Sequence, residues 1–175
     1  MIMLLTTLNK TKQLSAGKLP WINEMIVARE KLIISYFTLL TPAISEADNI
    51  DDKVNPSYDQ IKDFCGLLVD YLSRGHFEIY PKILTIMEHV SSRRLTIARR
   101  LVPRIQDNTE LLLKFSDKYS NQLDEGLLKN LKKDLAKVGQ LLENRFSHED
   151  RMVIALQIMD NTISAATNSN VSTPA

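Results

Sequence analysis

From Phe64 to Ile86 one apolar stripe runs along the chain at helical spacing. Phe64, Leu67, Leu68, Tyr71 and Leu72 follow the i, i+3, i+4, i+7, i+8 pattern of a helix with a single buried side. The register carries on past Gly75 to Ile79, Ile83 and Ile86, which predicts a helix that runs through the glycine. A stripe of this length needs other helices to cover it. Opposite the stripe the same wheel places Gly66, Asp70, Ser73, Phe77 and Tyr80. Two aromatics on the side that should be polar point either to a docking surface or to another helix of the same domain that covers Phe77 and Tyr80. Asp70, Ser73 and Phe77 are spaced i, i+3, i+7 and line up along the helix. An aromatic anchor beside a carboxylate suits a helical partner with a basic, partly apolar surface.

The rest of the chain follows the same rule. Only 5 glycines and 6 prolines punctuate 175 residues, and no strand-like alternation competes with the helical spacing. The expected fold is all-α: an antiparallel, up-and-down bundle of about four main helices with kinks or breaks. The first helix is expected from Pro20, tolerated at a first helical position, to about Leu40, with Ile22, Ile26, Ile33, Phe37 and Leu40 on its stripe. An acidic loop follows. Asn55-Pro56 is expected to open the second helix, which reaches about Val90 with a kink at Pro81. Ser91-Ser92 is expected to cap a third stretch to about Tyr119, interrupted by Pro103. Asp124 is expected to cap a fourth to about Ala165, with a bend near Phe146-Ser147. Residues 1–168 are read as one domain and 169–175 as a flexible tail.

Charge and cysteine usage narrow the function classes. A net charge of +1 provides no global field for nucleic acid or anionic membrane. No apolar run reaches spanning length, and the N-terminal MIMLLTTL is too short for a signal or anchor. The single cysteine, Cys65, rules out an intrachain disulfide and reads as a small buried hydrophobe. The expected location is the cytoplasm. Neither a phosphate-cradling glycine loop nor a nucleophile elbow is present, so no cofactor and no enzymatic activity are expected. The run SSRRLTIARRLVPR puts Arg93, Arg100 and Arg104 near one helical face, but no aromatics are interleaved for stacking, and it reads as a solvated face.

Two charges sit where apolar residues belong. At about 100° per residue, Arg29 falls among Ile26, Ile33 and Tyr36, and Glu149 among Leu142, Phe146, Val153 and Leu156. Opposite charges on the core sides of two helices suggest a buried structural ion pair, in which losing one partner costs about 3–5 kcal/mol. An alternative is a hemerythrin-like metal-binding bundle built on His76 with Glu78 and His148 with Glu149. His76 and His148 both lie off the stripe centres, and the chain has only 3 histidines, the third being His89. Hydrogen-bonding histidines at the boundary of the core are the better reading.

The run DFCGLLVDYLSRGHFEIY, Asp63 to Tyr80, resembles the signature of the regulator of sigma D (Rsd/AlgQ) family. AREKLIISYF (Ala28–Phe37), PRIQDNT (Pro103–Thr109) and ENRFSHED (Glu143–Asp150) resemble further family segments in the same order. The resemblance spans roughly Ile22 to Leu156. It implies a helical-bundle anti-sigma regulator that binds the C-terminal domain (region 4) of the housekeeping sigma factor. That domain is then withheld from core polymerase and promoter DNA, and alternative sigma factors gain access to the core. The phosphocarrier protein HPr is a weaker implied partner. On this resemblance Asp70, Ser73 and Phe77 match motif residues of the sigma-facing helix, with Gly66 and Tyr80 on the same side. Arg29 and Glu149 match family positions as well. Arg74, Met25 and Pro81 depart from the family pattern, with Trp21 lying one turn before Met25. The departures bear on partner affinity and local helix geometry.

Overall fold

The structure, a computed structural model, describes residues 19–41, 56–90, 92–120 and 125–169. All of its elements are helical: α1 (Pro20–Leu40), α2 (Tyr58–Arg74), a π-helical turn (Gly75–Ile79), α3 (Tyr80–Val90), α4 (Ser92–Ser120) and α5 (Glu125–Ser169). The π-turn joins α2 directly to α3, so the described residues form four rods.

Side-chain contacts between the rods give their directions. Arg29 of α1 meets Glu149 of α5, and seven residues further along α1 the Tyr36 hydroxyl donates to the Leu135 carbonyl at 3.0 Å. The two helices therefore run antiparallel. Arg74 pairs with Glu24 while Arg29 reaches Tyr71, which sets α2 antiparallel to α1. Tyr58 donates to the Ser120 carbonyl, and Phe64 packs edge-on against Phe115 with ring centroids 6.0 Å apart, so α4 opposes α2. Lys118 pairs with Asp134, and Asn108 donates to the Leu141 carbonyl, which sets α5 antiparallel to α4. The result is an up-and-down bundle in which each rod runs against its neighbours.

Local chemistry accounts for the ends and breaks. Pro20 occupies the first turn of α1, where its missing N–H costs nothing. At α2 the cap is Ser57 rather than Asn55, which lies outside the described residues. Ser57 Oγ accepts from the Gln60 N–H at 3.2 Å, and Gln60 Oε1 accepts from the Ser57 N–H at 2.9 Å. This reciprocal box satisfies two orphan donors at once and so outcompetes a start at Pro56. Ser91 and Asp124, expected as caps, also lie outside the described residues. Pro103 does not interrupt α4, because it sits on the exposed side, where water can take the carbonyl it frees. α5 continues unbroken through Phe146-Ser147 and on to Ser169, past the expected end.

The break before Pro81 takes a form that the helical wheel does not describe. In a straight helix the proline ring would crowd the Phe77 carbonyl. Here the preceding turn is widened, and the Tyr80 N–H bonds back five residues to the Gly75 carbonyl. One extra residue enters the turn, and everything beyond it rotates by about 100° relative to the wheel. Tyr80, expected opposite the stripe, is thereby carried into the core and is 4% exposed.

Candidate functional site

Gly66, Asp70, Ser73 and Phe77 are all exposed on the outer side of α2 and the π-turn. Phe77 is 75% exposed, more than any other large apolar side chain among the described residues. The ring of exposed His76 stands edge-on to it, centroids 4.9 Å apart. Gly66 has no atom within 4 Å of the position a Cβ would take, so packing inside the bundle does not require a glycine there. In mid-helix it costs about 0.5–1 kcal/mol relative to alanine.

The neighbouring helix extends this face. α1 turns Val27 and Ile34 outward, 50% and 61% exposed. Between α1 and α2 lies a groove of about 380 Å³ whose lining includes Val27, Ala28, Leu67, Asp70 and Arg74. A second hollow continues it past Lys31 and Leu67 to Ile34, Gln60 and Asp63. The face is thus a shallow apolar trough whose charged edges include Asp63, Asp70 and Lys31, and Phe77 stands exposed on the same outer side, seven residues beyond Asp70. Arg74 is tied to Glu24 across the helices and to Glu78 at 3.4 Å, so its charge is held at the groove wall. Val27 and Ile34 were not among the expected site residues. Their signal was nonetheless present, because α1 carries apolar residues well outside its main stripe.

Beneath this face lies a buried polar cluster. Arg29 Nη2 donates to Glu149 Oε2 at 2.9 Å, and Arg29 Nη1 to Asp150 Oδ1 at 2.7 Å. On the other carboxylate oxygen, Glu149 Oε1 accepts from Arg145 Nε at 2.9 Å and from the Tyr80 hydroxyl at 2.6 Å. The Tyr71 hydroxyl also donates to Glu149 Oε2. Arg145 further donates to the Tyr80 hydroxyl and to Thr109 Oγ1, at 2.7 and 2.8 Å. Its two arginines balance its two carboxylates, and its side chains come from α1, α2, α3, α4 and α5.

Electrostatics keep the cluster in one protonation state. Burial pushes the Glu149 carboxyl up, but Arg145, Arg29 and the tyrosine hydrogen bonds outweigh it and hold the group below its ordinary range. Burial and the Glu149 charge raise Tyr71 and Tyr80, so both stay neutral donors. Arg29 suffers the largest effect from burial, which lowers its pKa. The charges around it reverse this, and it stays protonated.

Arg145 and Asp150 were not singled out in the sequence, although Arg145 stands i, i−4 to Glu149 on the same core-facing arc. Burial likewise raises the thiol of Cys65. The components of the metal alternative do not converge. His76 and Glu78 are exposed, His148 Nδ1 lies 2.6 Å from the Asn144 carbonyl, and the Glu149 carboxylate is occupied by two arginines and two tyrosines. Among the described residues no group of three or more His, Cys, Asp or Glu is placed to hold a metal ion. Arg100 and Arg104 are exposed on α4, while the Arg93 side chain lies outside the described residues. Among the described residues no helix is long and apolar enough to cross a membrane.

The sequence model of the family described as "Regulator of RNA polymerase sigma(70) subunit, Rsd/AlgQ" matches residues 3–157, which include every residue named above in the face and the cluster. The chain belongs to the Rsd/AlgQ family. A relative from Yersinia enterocolitica named "Regulator of sigma D" is 29% identical over 153 residues, 86% of this chain and 88% of its own. One of the same name from an Enterobacter species is 29% identical over 175 residues, 98% of this chain and all of its own. No solved structure matches the chain. Within this Rsd/AlgQ protein the signature segment contributes to both the outer face and the buried cluster. Asp70, Ser73 and Phe77 lie on the outer face, and Tyr71 and Tyr80 in the cluster below.

Proposed function

We propose that this protein is a cytoplasmic anti-sigma regulator without catalytic chemistry. It binds the C-terminal domain (region 4) of the housekeeping sigma factor through the outer face of α1, α2 and the π-turn. Occupying that domain withholds it from core polymerase and promoter DNA, which favours alternative sigma factors. Family membership supports the sigma factor as target. The observation that carries the choice of surface is Phe77, 75% exposed on the same outer side as Asp70, which lines the apolar groove between α1 and α2. A basic helix-turn-helix domain suits this face. Asp70 accepts charge-assisted hydrogen bonds from its arginines, and Phe77 fills an apolar recess, a burial that contributes about 1.5–3 kcal/mol.

Calorimetric titration with the isolated sigma domain tests the reading. A dissociation constant near or below about 10 μM, roughly −7 kcal/mol, is the expected result. Absence of binding in that range sinks it. HPr titrated in parallel shows whether that implied partner uses the same face.

A further inference from the structure

We propose that Tyr80 and Gly75 form a lock on the π-turn, and that Tyr80 is a positioning residue for recognition although no partner reaches it. The inference rests on the docking reading above and concerns how Phe77 is held.

Phe77 sits inside the widened turn and is 75% exposed. Packing against the bundle therefore does not decide where its ring stands; the backbone of the turn does. The turn's defining bond runs from the Tyr80 N–H to the Gly75 carbonyl. The same two residues also meet through space. A Cβ on Gly75 would lie 2.7 Å from the Tyr80 hydroxyl oxygen and 2.9 Å from the adjacent ring carbon. The tyrosine folds back over its own turn and rests on the bare Cα of the glycine. Its hydroxyl is then fastened on both sides, accepting from Arg145 at 2.7 Å and donating to Glu149 at 2.6 Å.

A helix without the extra residue would carry Tyr80 about 100° away from that carboxylate. The cluster therefore favours the widened turn over the straight helix, and the widened turn sets the pose of Phe77. Gly75 is the part of the lock that no other residue can replace, because any side chain there displaces the tyrosine.

Hydrogen exchange and calorimetry on the full chain test the lock. Tyr80→Phe removes the hydroxyl and keeps the ring; Gly75→Ala acts from the other side. Tyr36→Phe, which removes a buried hydroxyl at the far end of the bundle, is the control. In both lock variants the amides of Ile79 and Tyr80 are expected to exchange about tenfold faster, with Leu131–Leu142 unchanged. Affinity for the sigma domain is expected to fall about fivefold in each, and to hold in Tyr36→Phe. Unchanged exchange at the turn, or exchange that rises equally throughout the bundle, overturns the lock. A loosened turn with wild-type affinity overturns the positioning role. Wild-type protein that does not bind the domain removes the docking reading itself, while the exchange comparison, which needs no partner, still decides whether the lock exists.

Discussion

The outer face and the buried cluster use the same stretch of chain in opposite ways. Between Asp70 and Tyr80 the residues that point out are Asp70, Ser73, His76, Phe77 and Glu78, and those that point in as polar groups are Tyr71 and Tyr80. In the cluster every charge is answered within about 3 Å, and the groups are at most a tenth exposed. On the outer face the carboxylate of Asp70 and the ring of Phe77 are left to the solvent. Polar groups in the interior must be satisfied by the fold itself, because an unpaired buried charge costs several kcal/mol. Groups at the surface can stay open to a partner at almost no cost in stability. The difference separates what holds the bundle together from what it presents.

The strongest way to break this comparison is through the cluster. Glu149→Ala leaves buried Arg145 without its carboxylate and Arg29 with Asp150 alone, and is expected to lower unfolding free energy by about 3–5 kcal/mol in urea melts. Arg29→Ala is expected to cost a similar amount. A double-mutant cycle should give a coupling of about 0.5–3 kcal/mol; zero coupling would mean that the two residues act independently.

The same carboxylate sets an acid limit. Its folded pKa is depressed, so its contribution is complete above the ordinary glutamate range, about 4.3, and is lost as pH falls through the lower folded value. Glu149→Gln should therefore show a shallower loss of stability below that range than wild type. Tyr71 and Tyr80 act in the other direction. Their raised pKa values make stability complete below about pH 10 and lost above it.

Next in size comes the outer anchor. Phe77→Ala is expected to weaken sigma-domain binding by about 2 kcal/mol, roughly thirtyfold. Its melting curve should stay within about 0.5 kcal/mol of wild type. If affinity is unchanged, the face has been misassigned. Asp70→Ala should cost about 1 kcal/mol of affinity, chiefly at low salt, with stability unchanged. Equal losses in low and high salt would argue against a charged contact.

The smallest effect sharpens the boundary between the two regions. Gly66→Ala meets open space and should stabilise the protein by about 0.5–1 kcal/mol through helix propensity. Tighter folding with weaker sigma-domain binding would place a partner backbone close to Gly66. Unchanged affinity would remove Gly66 from the contact area.

Much of the fold was legible in the sequence because helical spacing is a local property. The limits of α1, the stripe of α2 from Phe64 to Leu72 and the inward placement of Arg29 and Glu149 all follow from about 100° per residue. The departures occur where a local rule met a competing contact. Ser57 displaced Asn55 because a capping box satisfies two donors. Pro103 stayed within α4 because its freed carbonyl faces water. Tyr80 moved inside because one extra residue entered the turn before Pro81.

The outer face was only half legible. Asp70, Ser73 and Phe77 share one helix, and their spacing marks them. Val27 and Ile34 belong to another helix, and no single-helix wheel shows that α1 and α2 lie side by side.

By itself the sequence determined that the chain forms amphipathic helices, which of their sides are buried, and that one helix carries an aromatic and a carboxylate outward. Those properties repeat every three or four residues and need no distant neighbour. Only the tertiary structure decided that Tyr71, Tyr80, Arg145 and Asp150 join Arg29 and Glu149 in one satisfied cluster, and that Tyr80 faces in while Phe77 faces out. Helices more than a hundred residues apart in the chain meet there, as Arg29 meets Glu149. The energy of a buried charge depends on every group within reach of it, and the chain's local spacing does not contain that information.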